Sequence, residues 1–249
     1  MNEPAKQARP ADDDMSHASG WDALLDDLFG LNVRALASMW AILATPRKVF
    51  AAARDADWLG KYTPSIRLVF TLIAAMVFLR FLWGGENSAL HQMTKSGLTD
   101  SNVLGYGDMD KFTQDYLGLW LVMFPFSYFF VHGLMALLVR IWGKGTRAPV
   151  RLRLYFAALL PGLLLGVLST VAIPLMDVAL FEQTLMPALA LTGLIYALTV
   201  FSGLPSTVSK IGRAWRGILF ACVAIGGDLF IALSTFVIGY AWLYERGPV

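Results

Sequence analysis

The sequence predicts an all-α polytopic membrane protein, a bundle of five transmembrane helices preceded by cytoplasmic and interfacial amphipathic helices. Of its 249 residues, 57% are hydrophobic and only 15% are charged. The mean hydropathy is +0.58, and such a composition is unlike that of a soluble domain. Five apolar runs each approach or exceed the roughly 17–20 residues needed to cross a hydrocarbon core of about 30 Å. Each run is predicted to be a helix, because none alternates as barrel strands do and lipid cannot pair an open backbone.

Basic residues set the predicted orientation of this transmembrane domain, residues 65–243. Most of the 20 Lys and Arg residues lie in the N-terminal segment and in the connections near residues 140–153 and 210–216. Positive residues favour the cytoplasmic side, so the N-terminus is predicted to be cytoplasmic and the C-terminus extracytoplasmic. The predicted spans are residues 66–83, 117–142, 154–176, 184–204 and 217–243. The cytoplasmic basic clusters, which are candidate binding surfaces, include Arg147, Arg151, Arg153, Arg213 and Arg216.

Two segments precede the first span. Residues 1–20 are polar and show no periodicity, which predicts a disordered cytoplasmic tail. Residues 21–64 are predicted to hold the amphipathic and interfacial helices. In WDALLDDLF (21–29), apolar residues share one helical face and three Asp residues share the other. An acidic helix suits a protein surface better than anionic lipid, so it is expected to pack on the protein's own basic loops or on a separate partner.

A short basic helix is predicted just before the first span. Thr45 and Pro46 supply an N-cap and a proline at the first helical position. A basic helix beside a span is typical of the membrane interface. We therefore expect Val49, Phe50 and Trp58 to dip towards lipid while the cations face water. The cations of this interfacial basic helix are Arg47, Lys48 and Arg54.

The connection at residues 85–116 is predicted to be an extracytoplasmic acidic loop. Asp108 and Asp110, with Asp115 and His91 nearby, could gather a divalent ion. Their spacing matches no calcium or magnesium loop, so a solvated loop is favoured, and no metal or other cofactor is expected.

Arg80 lies inside a predicted span, one turn before Trp83 at its outer end. A long cationic side chain in this position can snorkel into the lipid headgroups. That interpretation is favoured over the alternative, in which Arg80 faces inward as a counter-ion.

Asp228 places a carboxylate in one of the most apolar stretches of the chain, AIGGDLFIAL (224–233). A charged group near the bilayer centre costs about 2.5–3.5 kcal/mol and usually faces the bundle interior, where it finds a partner. Counting 1.5 Å per residue along the spans puts Asp228, His132 and Tyr196 at similar depth, about 3–4 Å to the cytoplasmic side of the midplane. We therefore predict a buried polar layer in which Asp228 pairs with His132, with Tyr196 as a hydrogen-bonding neighbour.

The polar layer has two interpretations. In the structural one, it fixes the register and rotation of the helices, with each hydrogen bond worth about 0.6–2 kcal/mol in lipid. In the functional one, it is a proton or ion relay, since a coupled transporter uses an imidazole and a carboxylate at membrane depth. The pattern Gly162-x-x-x-Gly166 in the third span is typical of close helix packing.

Three stretches follow one another in a recognisable order. They are MWAILATPRKVFAAARDADW before the first span, Tyr155 and Pro161 in RLRLYFAALLPG at the third, and LIYALTVFSGLPSTVSKIGRAW linking the fourth to the fifth. In this order they resemble the bacterial branch of the Ypt-interacting-protein (Yip) domain family, over roughly residues 35–243. The resemblance implies five spans and a bacterial inner membrane location. In eukaryotes the family implies non-enzymatic membrane proteins that associate with one another and with small GTPases in vesicle traffic, whereas in bacteria its role is largely undefined. No stretch matches a GTPase-binding segment, and the family supplies no catalytic residues.

We therefore expect a non-enzymatic integral membrane organiser that sits in the lipid bilayer and binds partner membrane proteins or further copies of itself. The 1–64 segment and the basic clusters would carry this binding, and no nucleic-acid partner is expected. The alternative is a small transporter or channel that uses the layer of Asp228, His132 and Tyr196. The chain shows no internal repeat of the kind many secondary transporters have. An enzyme is the third possibility, and no nucleophile–base or metal-ligand spacing supports it.

Overall fold

A computed structural model describes residues 33–55, 58–85, 88–100, 108–143 and 145–246 of the chain. Within these ranges the protein is all-helical, without strands, and five of its helices are long and apolar enough to cross a membrane. This confirms the predicted fold class. The predicted tail at 1–20 and the acidic helix at 21–29 lie outside the described residues.

The described helices, in chain order, are α1 (Val33–Ala44), α2 (Pro46–Ala52), α3 (Trp58–Lys61), α4 (Ser65–Trp83), α5 (Ala89–Asp100), α6 (Met109–Leu138), α7 (Ala148–Ala172), α8 (Val178–Gly203) and α9 (Lys210–Arg246). The candidate membrane helices are α4, α6, α7, α8 and α9. A single 3₁₀ turn, Ile173–Leu175, extends α7. We call the end of the bundle that holds residues 139–147 and 204–209 the basic end, and the end that holds α5 and residues 173–177 the far end.

The second membrane helix begins earlier than the hydropathy of its sequence predicts. It starts at Met109 rather than near residue 117, because Asp108 caps it. The Asp108 carboxylate accepts hydrogen bonds from the backbone N–H groups of Asp110 and Lys111, at 3.0 and 3.2 Å. Side-chain oxygens in this position satisfy amides that have no partner within the helix. Asp177 caps α8 in the same way, through the backbone N–H of Leu180.

Helix α7 forms the centre of the bundle. Residues 154–163 are buried without interruption, and α4, α6, α8 and α1 all pack on this helix. Helix α9 closes the bundle by packing on α6 and α8. It comes very close to α8 at Gly217, where a Cβ atom would lie 2.5 Å from the backbone carbonyl oxygen of Ala197. Small residues permit this kind of close backbone approach between membrane helices.

The short basic helix α2 packs on protein, so the predicted contact of its apolar side chains with lipid is wrong. Phe50 is buried, with its ring 5.5 Å from that of Trp142 in an edge-on arrangement. The Phe50 ring also fills the space over Gly203, where a Cβ atom would come within 2.5 Å of it. Arg54, just after α2, holds this helix against the loop that follows α6 by donating a hydrogen bond to the Trp142 carbonyl oxygen at 2.9 Å. Val49 and Trp58 are buried as well.

Helical periodicity identifies the apolar face of α2, but it does not show whether lipid or protein covers that face. Here the cover is the end of α8 together with the loop that follows α6. The exposed side of α2 carries Arg47 and Lys48, as the sequence predicts.

The region predicted as a loop at 85–116 contains the twelve-residue helix α5 and the first turns of α6. Leu98 of α5 is buried with Phe112 and Tyr116 of α6 and with Leu243 of α9 in a small apolar cluster of their own. This cluster fixes α5 across the far end of the bundle.

Candidate functional site

The candidate site is built around His132, which is completely buried on the inward face of α6. Its ring lies between aromatic neighbours, with the centroid of the Tyr128 ring 4.2 Å away. Tyr128 precedes it by four residues, and side chains with this spacing share a helical face. Across the bundle, Gly227 of α9 lets the imidazole approach, because a Cβ atom there would lie 3.1 Å from the ring carbon Cε1.

Both nitrogens of the His132 ring are engaged. Nε2 lies 3.0 Å from Oδ1 of Asp228 on α9, and Nδ1 lies 3.0 Å from the hydroxyl oxygen of Tyr155 on α7. The predicted pair of Asp228 and His132 is therefore confirmed. With an ionised carboxylate and a neutral imidazole, Nε2–H would donate to Asp228 and Nδ1 would accept the Tyr155 O–H. The three side chains form one hydrogen-bonded chain across three helices.

Tyr155 is the member of this hydrogen-bonded chain that was not predicted by counting residues along the spans. Hydropathy places the third span at 154–176, which puts Tyr155 at the membrane edge. Helix α7 actually begins at Ala148, so Tyr155 lies about 10 Å inside it at 1.5 Å per residue. The available signal was the tyrosine itself, a polar group in an otherwise apolar run of α7, which needs a hydrogen-bond partner when buried.

Tyr196 belongs to the layer but occupies a different position from the predicted one. It is buried on α8, whereas the hydroxyl that bonds the imidazole comes from Tyr155. The Tyr196 ring packs against α7 at Gly162, where a Cβ atom would come within 2.3 Å of it. The Gly162-x-x-x-Gly166 pattern is thus a contact surface, with Tyr196 at the first glycine and the Met76 sulfur at the second.

The Tyr128 hydroxyl is buried beside that of Tyr196, without a hydrogen bond of good geometry between them. The layer therefore gathers polar groups from α6, α7, α8 and α9.

Within their helices, His132 and Tyr196 lie nearer to the basic end than the sequence predicts, whereas Asp228 lies at the middle of α9. His132 lies about 9 Å before α6 ends at Leu138, and Tyr196 lies about 10 Å before α8 ends at Gly203. The capped start of α6 and the early start of α7 shift the true centres of these helices, so depths counted from hydropathy alone were displaced.

Access to the layer differs on its two sides. Towards the basic end the layer is covered by aromatic rings, among them the fully buried ring of Phe220. The centroid of this ring lies 5.1 Å from that of Tyr155 and 5.9 Å from those of Tyr196 and Trp142. Towards the far end lies a cavity of about 890 Å³. Its wall includes Leu229 and Ala232, the latter one helical turn beyond Asp228. The Asp228 side chain remains 32% exposed.

Arg80 lines this cavity, but the described residues give it no carboxylate to pair with, so the predicted counter-ion role is not shown. The guanidinium carbon lies 4.6 Å from the centroid of the Trp120 ring on α6, a cation–π contact. The arginine lies in the last turn of α4, at the far end of the bundle.

The predicted basic residues at the basic end have mixed environments. Arg147 is exposed where α7 begins, whereas Arg151 donates a hydrogen bond to the Leu137 carbonyl oxygen. Arg213 stacks over the Phe201 ring at 4.8 Å. Arg153 and Arg216 are partly exposed. Cations engaged within the bundle are less available to a partner than exposed ones.

Asp110, at the far end, pairs with two basic groups. Lys95 of α5 donates to both carboxylate oxygens of Asp110 at 2.7 Å, and His91 Nε2 lies 3.3 Å from one of them. Asp108 serves as the helix cap. Within the described ranges, no group of three or more His, Cys, Asp and Glu side chains is arranged to hold a metal ion.

Chemically, the layer can hold a proton and share it, because an imidazole bonded at both nitrogens links a phenol to a carboxylate. It also fixes three helices against one another. No family model, curated protein or solved structure matches the chain.

Proposed function

We propose that this chain is a non-enzymatic membrane protein that binds other membrane proteins, or further copies of itself, through its basic end. The observation that carries the proposal is the surface exposed there. Ile211 and Trp215, on the first turns of α9, are 84% and 65% exposed. Exposed cations surround the same end of the bundle, namely Arg47, Lys48, Arg140, Arg147 and Lys210.

This surface has the chemistry of a binding site. Ile211 and Trp215 are four residues apart, so they share one face of α9. Aromatic and arginine side chains are enriched among the residues that dominate protein interfaces. Positive residues favour the cytoplasmic side of a membrane protein, so the partner would approach from the cytoplasm, in a bacterial inner membrane. The resemblance to the Yip domain family supports the same proposal.

Within this proposal the polar layer is a structural lock. Hydrogen bonds from His132 to Asp228 and Tyr155 fix the rotation of α9 and α7 relative to α6. Rotation of α9 determines where Ile211 and Trp215 point, so the lock holds the binding surface in place.

The test is photo-crosslinking in native membranes, with a photoreactive amino acid in place of Trp215. We expect a discrete adduct in cells that express the full chain at native levels. Phe126, 75% exposed on the side of α6, is the matched lipid-facing control and should give no discrete protein adduct. Charge reversal at Arg147 and Lys210 should weaken the adduct at position 215. An absence of adducts at 215, or equal adducts at 215 and 126, would contradict the proposal.

A second candidate function, a proton relay, is favoured by one specific observation. The far-end cavity reaches within one helical turn of Asp228, whose carboxylate is partly exposed and bonded to an imidazole. The aromatic cover at Phe220 closes the other side, so relay activity requires a second conformation. In liposomes with an imposed potassium diffusion potential, the relay predicts proton uptake that Asp228→Asn abolishes and Asp108→Asn leaves intact. Uptake equal to that of protein-free liposomes would eliminate this candidate.

A further inference from the structure

The far-end cavity combines a large apolar wall with a single fixed charge. It lies between α4, α5, α6, α8 and α9, and its volume of about 890 Å³ is in the range of small-molecule sites, about 300–1,000 Å³. Apolar side chains form most of its surface, among them Phe81, Leu121, Leu233 and Phe236. Arg80 is the charged side chain among the described residues that line it.

None of the described residues compensates the charge of Arg80. Its Nε is buried without a hydrogen-bond partner, and the described residues place no carboxylate in ion-pair distance of it. The nearby cation Lys95 is different, because Asp110 pairs with it at 2.7 Å. The Trp120 ring orients the Arg80 guanidinium but supplies no negative charge. A charged group in a membrane helix usually finds a counter-charge, because leaving it unpaired in a low-dielectric setting is costly.

We propose that this cavity binds a single-chain amphipathic anion, with its carboxylate or phosphate head on Arg80 and its hydrocarbon chain along the apolar wall of α9. The guanidinium fork matches the geometry of both head groups. Gln114, also on the wall, adds a neutral donor for a head-group oxygen. The chain of such a molecule would lie on Leu233 and Leu229 and would extend towards Asp228.

The cavity is suited to one chain. Its charged part, among the described residues, is a single site at Arg80 in the last turn of α4, and most of the remaining wall is apolar. A polar solute would leave the apolar wall in contact with water, and an uncharged alkane would leave the Arg80 guanidinium without a counter-ion. An amphiphile with one charge and one chain satisfies both parts.

The test measures saturable binding of palmitate to the full chain in phosphatidylcholine nanodiscs, with empty nanodiscs as the background. Charge-assisted hydrogen bonds contribute about 1.5–3 kcal/mol, so Arg80→Gln should weaken palmitate binding about tenfold or more. Arg140→Gln, an exposed arginine at the basic end, is the matched control and should bind within about twofold of the wild type. Hexadecanol, which has the chain without the charge, should bind the wild type and Arg80→Gln equally.

A second readout locates the ligand. A fatty acid brominated along its chain should quench tryptophan fluorescence saturably, and Trp120→Phe should remove most of that quenching, since Trp120 lines the cavity. Ala232→Phe, which fills the cavity from α9, should abolish binding while Arg80 is retained. This variant keeps the proposal testable if Arg80→Gln does not fold.

The source of the anion is separated by comparing palmitate with hexadecyl phosphate. Tighter binding of palmitate assigns a free fatty acid, and tighter binding of the phosphate assigns a lipid phosphate. The proposal is overturned if folded Arg80→Gln and Ala232→Phe both bind each probe as the wild type does, or if binding never saturates above empty nanodiscs.

Discussion

The hydroxyl of Tyr155 lies 3.0 Å from Nδ1 of His132, on the opposite side of the imidazole from Asp228. The ring is fully buried, so no solvent can replace either partner. Removing one partner leaves a polar nitrogen unsatisfied, and this costs more than the net worth of the hydrogen bond itself.

Tyr155→Phe should therefore destabilise the protein by about 1–3 kcal/mol, the usual cost of a buried group left without a partner. The measurement is the unfolding midpoint of the purified chain in a mild detergent. Tyr128→Phe is the matched control, because the buried Tyr128 hydroxyl makes no hydrogen bond of good geometry, so its loss should destabilise the protein less than the loss of the Tyr155 hydroxyl. Equal destabilisation by the two variants would contradict the bond between Tyr155 and His132.

Asp228 and His132 should be energetically coupled. Asp228→Leu leaves His132 Nε2 without its partner, and His132→Leu leaves both the Asp228 carboxylate and the Tyr155 hydroxyl without theirs. Each variant should therefore lower stability by at least about 1–3 kcal/mol. The double variant should lose less than the sum of the two, because neither group then remains. A double-mutant cycle measures the coupling, which we expect at about 0.6–2 kcal/mol. A coupling of zero would mean that the contact stabilises nothing.

Asp228→Asn separates the lock from the relay. The amide oxygen can still accept the hydrogen bond from His132 Nε2–H, so the fold and the crosslink at position 215 should survive. Proton uptake would be lost, because an amide does not titrate. A variant that is unstable would indicate that the charge itself holds the helices together, and a variant that is stable and conducts protons would eliminate Asp228 as a relay group.

Gly217→Ala should destabilise the bundle by about 1–3 kcal/mol, the typical cost of overpacking. The added methyl group would lie 2.5 Å from the Ala197 carbonyl oxygen, and a backbone atom cannot move aside as a side chain can. Gly226→Ala on the same helix meets nothing within 4 Å and should be neutral or slightly stabilising, because alanine favours helix. The comparison is made by unfolding both variants in the same detergent.

The orientation of the bundle can be tested by labelling with a membrane-impermeant maleimide, in a variant that lacks the exposed Cys222. Ser96→Cys on α5 should react in intact cells, because the far end is proposed to be extracytoplasmic. Ser206→Cys, in the basic-end loop between α8 and α9, should react only after the membrane is opened. The reverse pattern would overturn the proposed orientation and the cytoplasmic approach of a partner.

The sequence predicts the five membrane helices because an unpaired backbone has a high free energy in lipid. It predicts the pair of Asp228 and His132 because a charge in lipid is costly unless it finds a partner. Tyr155 and α5 required information that hydropathy lacks. Hydropathy detects the apolar part of a helix, so it misses polar helices such as α5 and the polar turns that precede an apolar run. Those turns set the true depth of every residue that follows.

The sequence also does not show which surface covers the apolar face of a helix. Phe50 lies on an apolar face that suits lipid and protein equally well, and only the presence of Gly203 and Trp142 at the right place decides the matter. Arg80 shows the same limit for a charge, since snorkelling and inward packing need the same position in the helix. Tyr196 was predicted to lie in the layer, but its rotation towards Gly162 depends on how α7 and α8 meet.

Helices of unequal length govern how this protein fits its bilayer. At 1.5 Å per residue, the 37 residues of α9 extend about 55 Å, and tilts up to about 40° cannot contain that length within a hydrocarbon core of about 30 Å. The 19 residues of α4 extend only about 28 Å. In a thicker membrane α9 would still span the hydrocarbon core, because its ends extend beyond the core, whereas α4 would be too short to span it. Hydrophobic mismatch is therefore borne by the shortest helix, and bilayer thickness acts on the protein at the α4 terminus that carries Arg80.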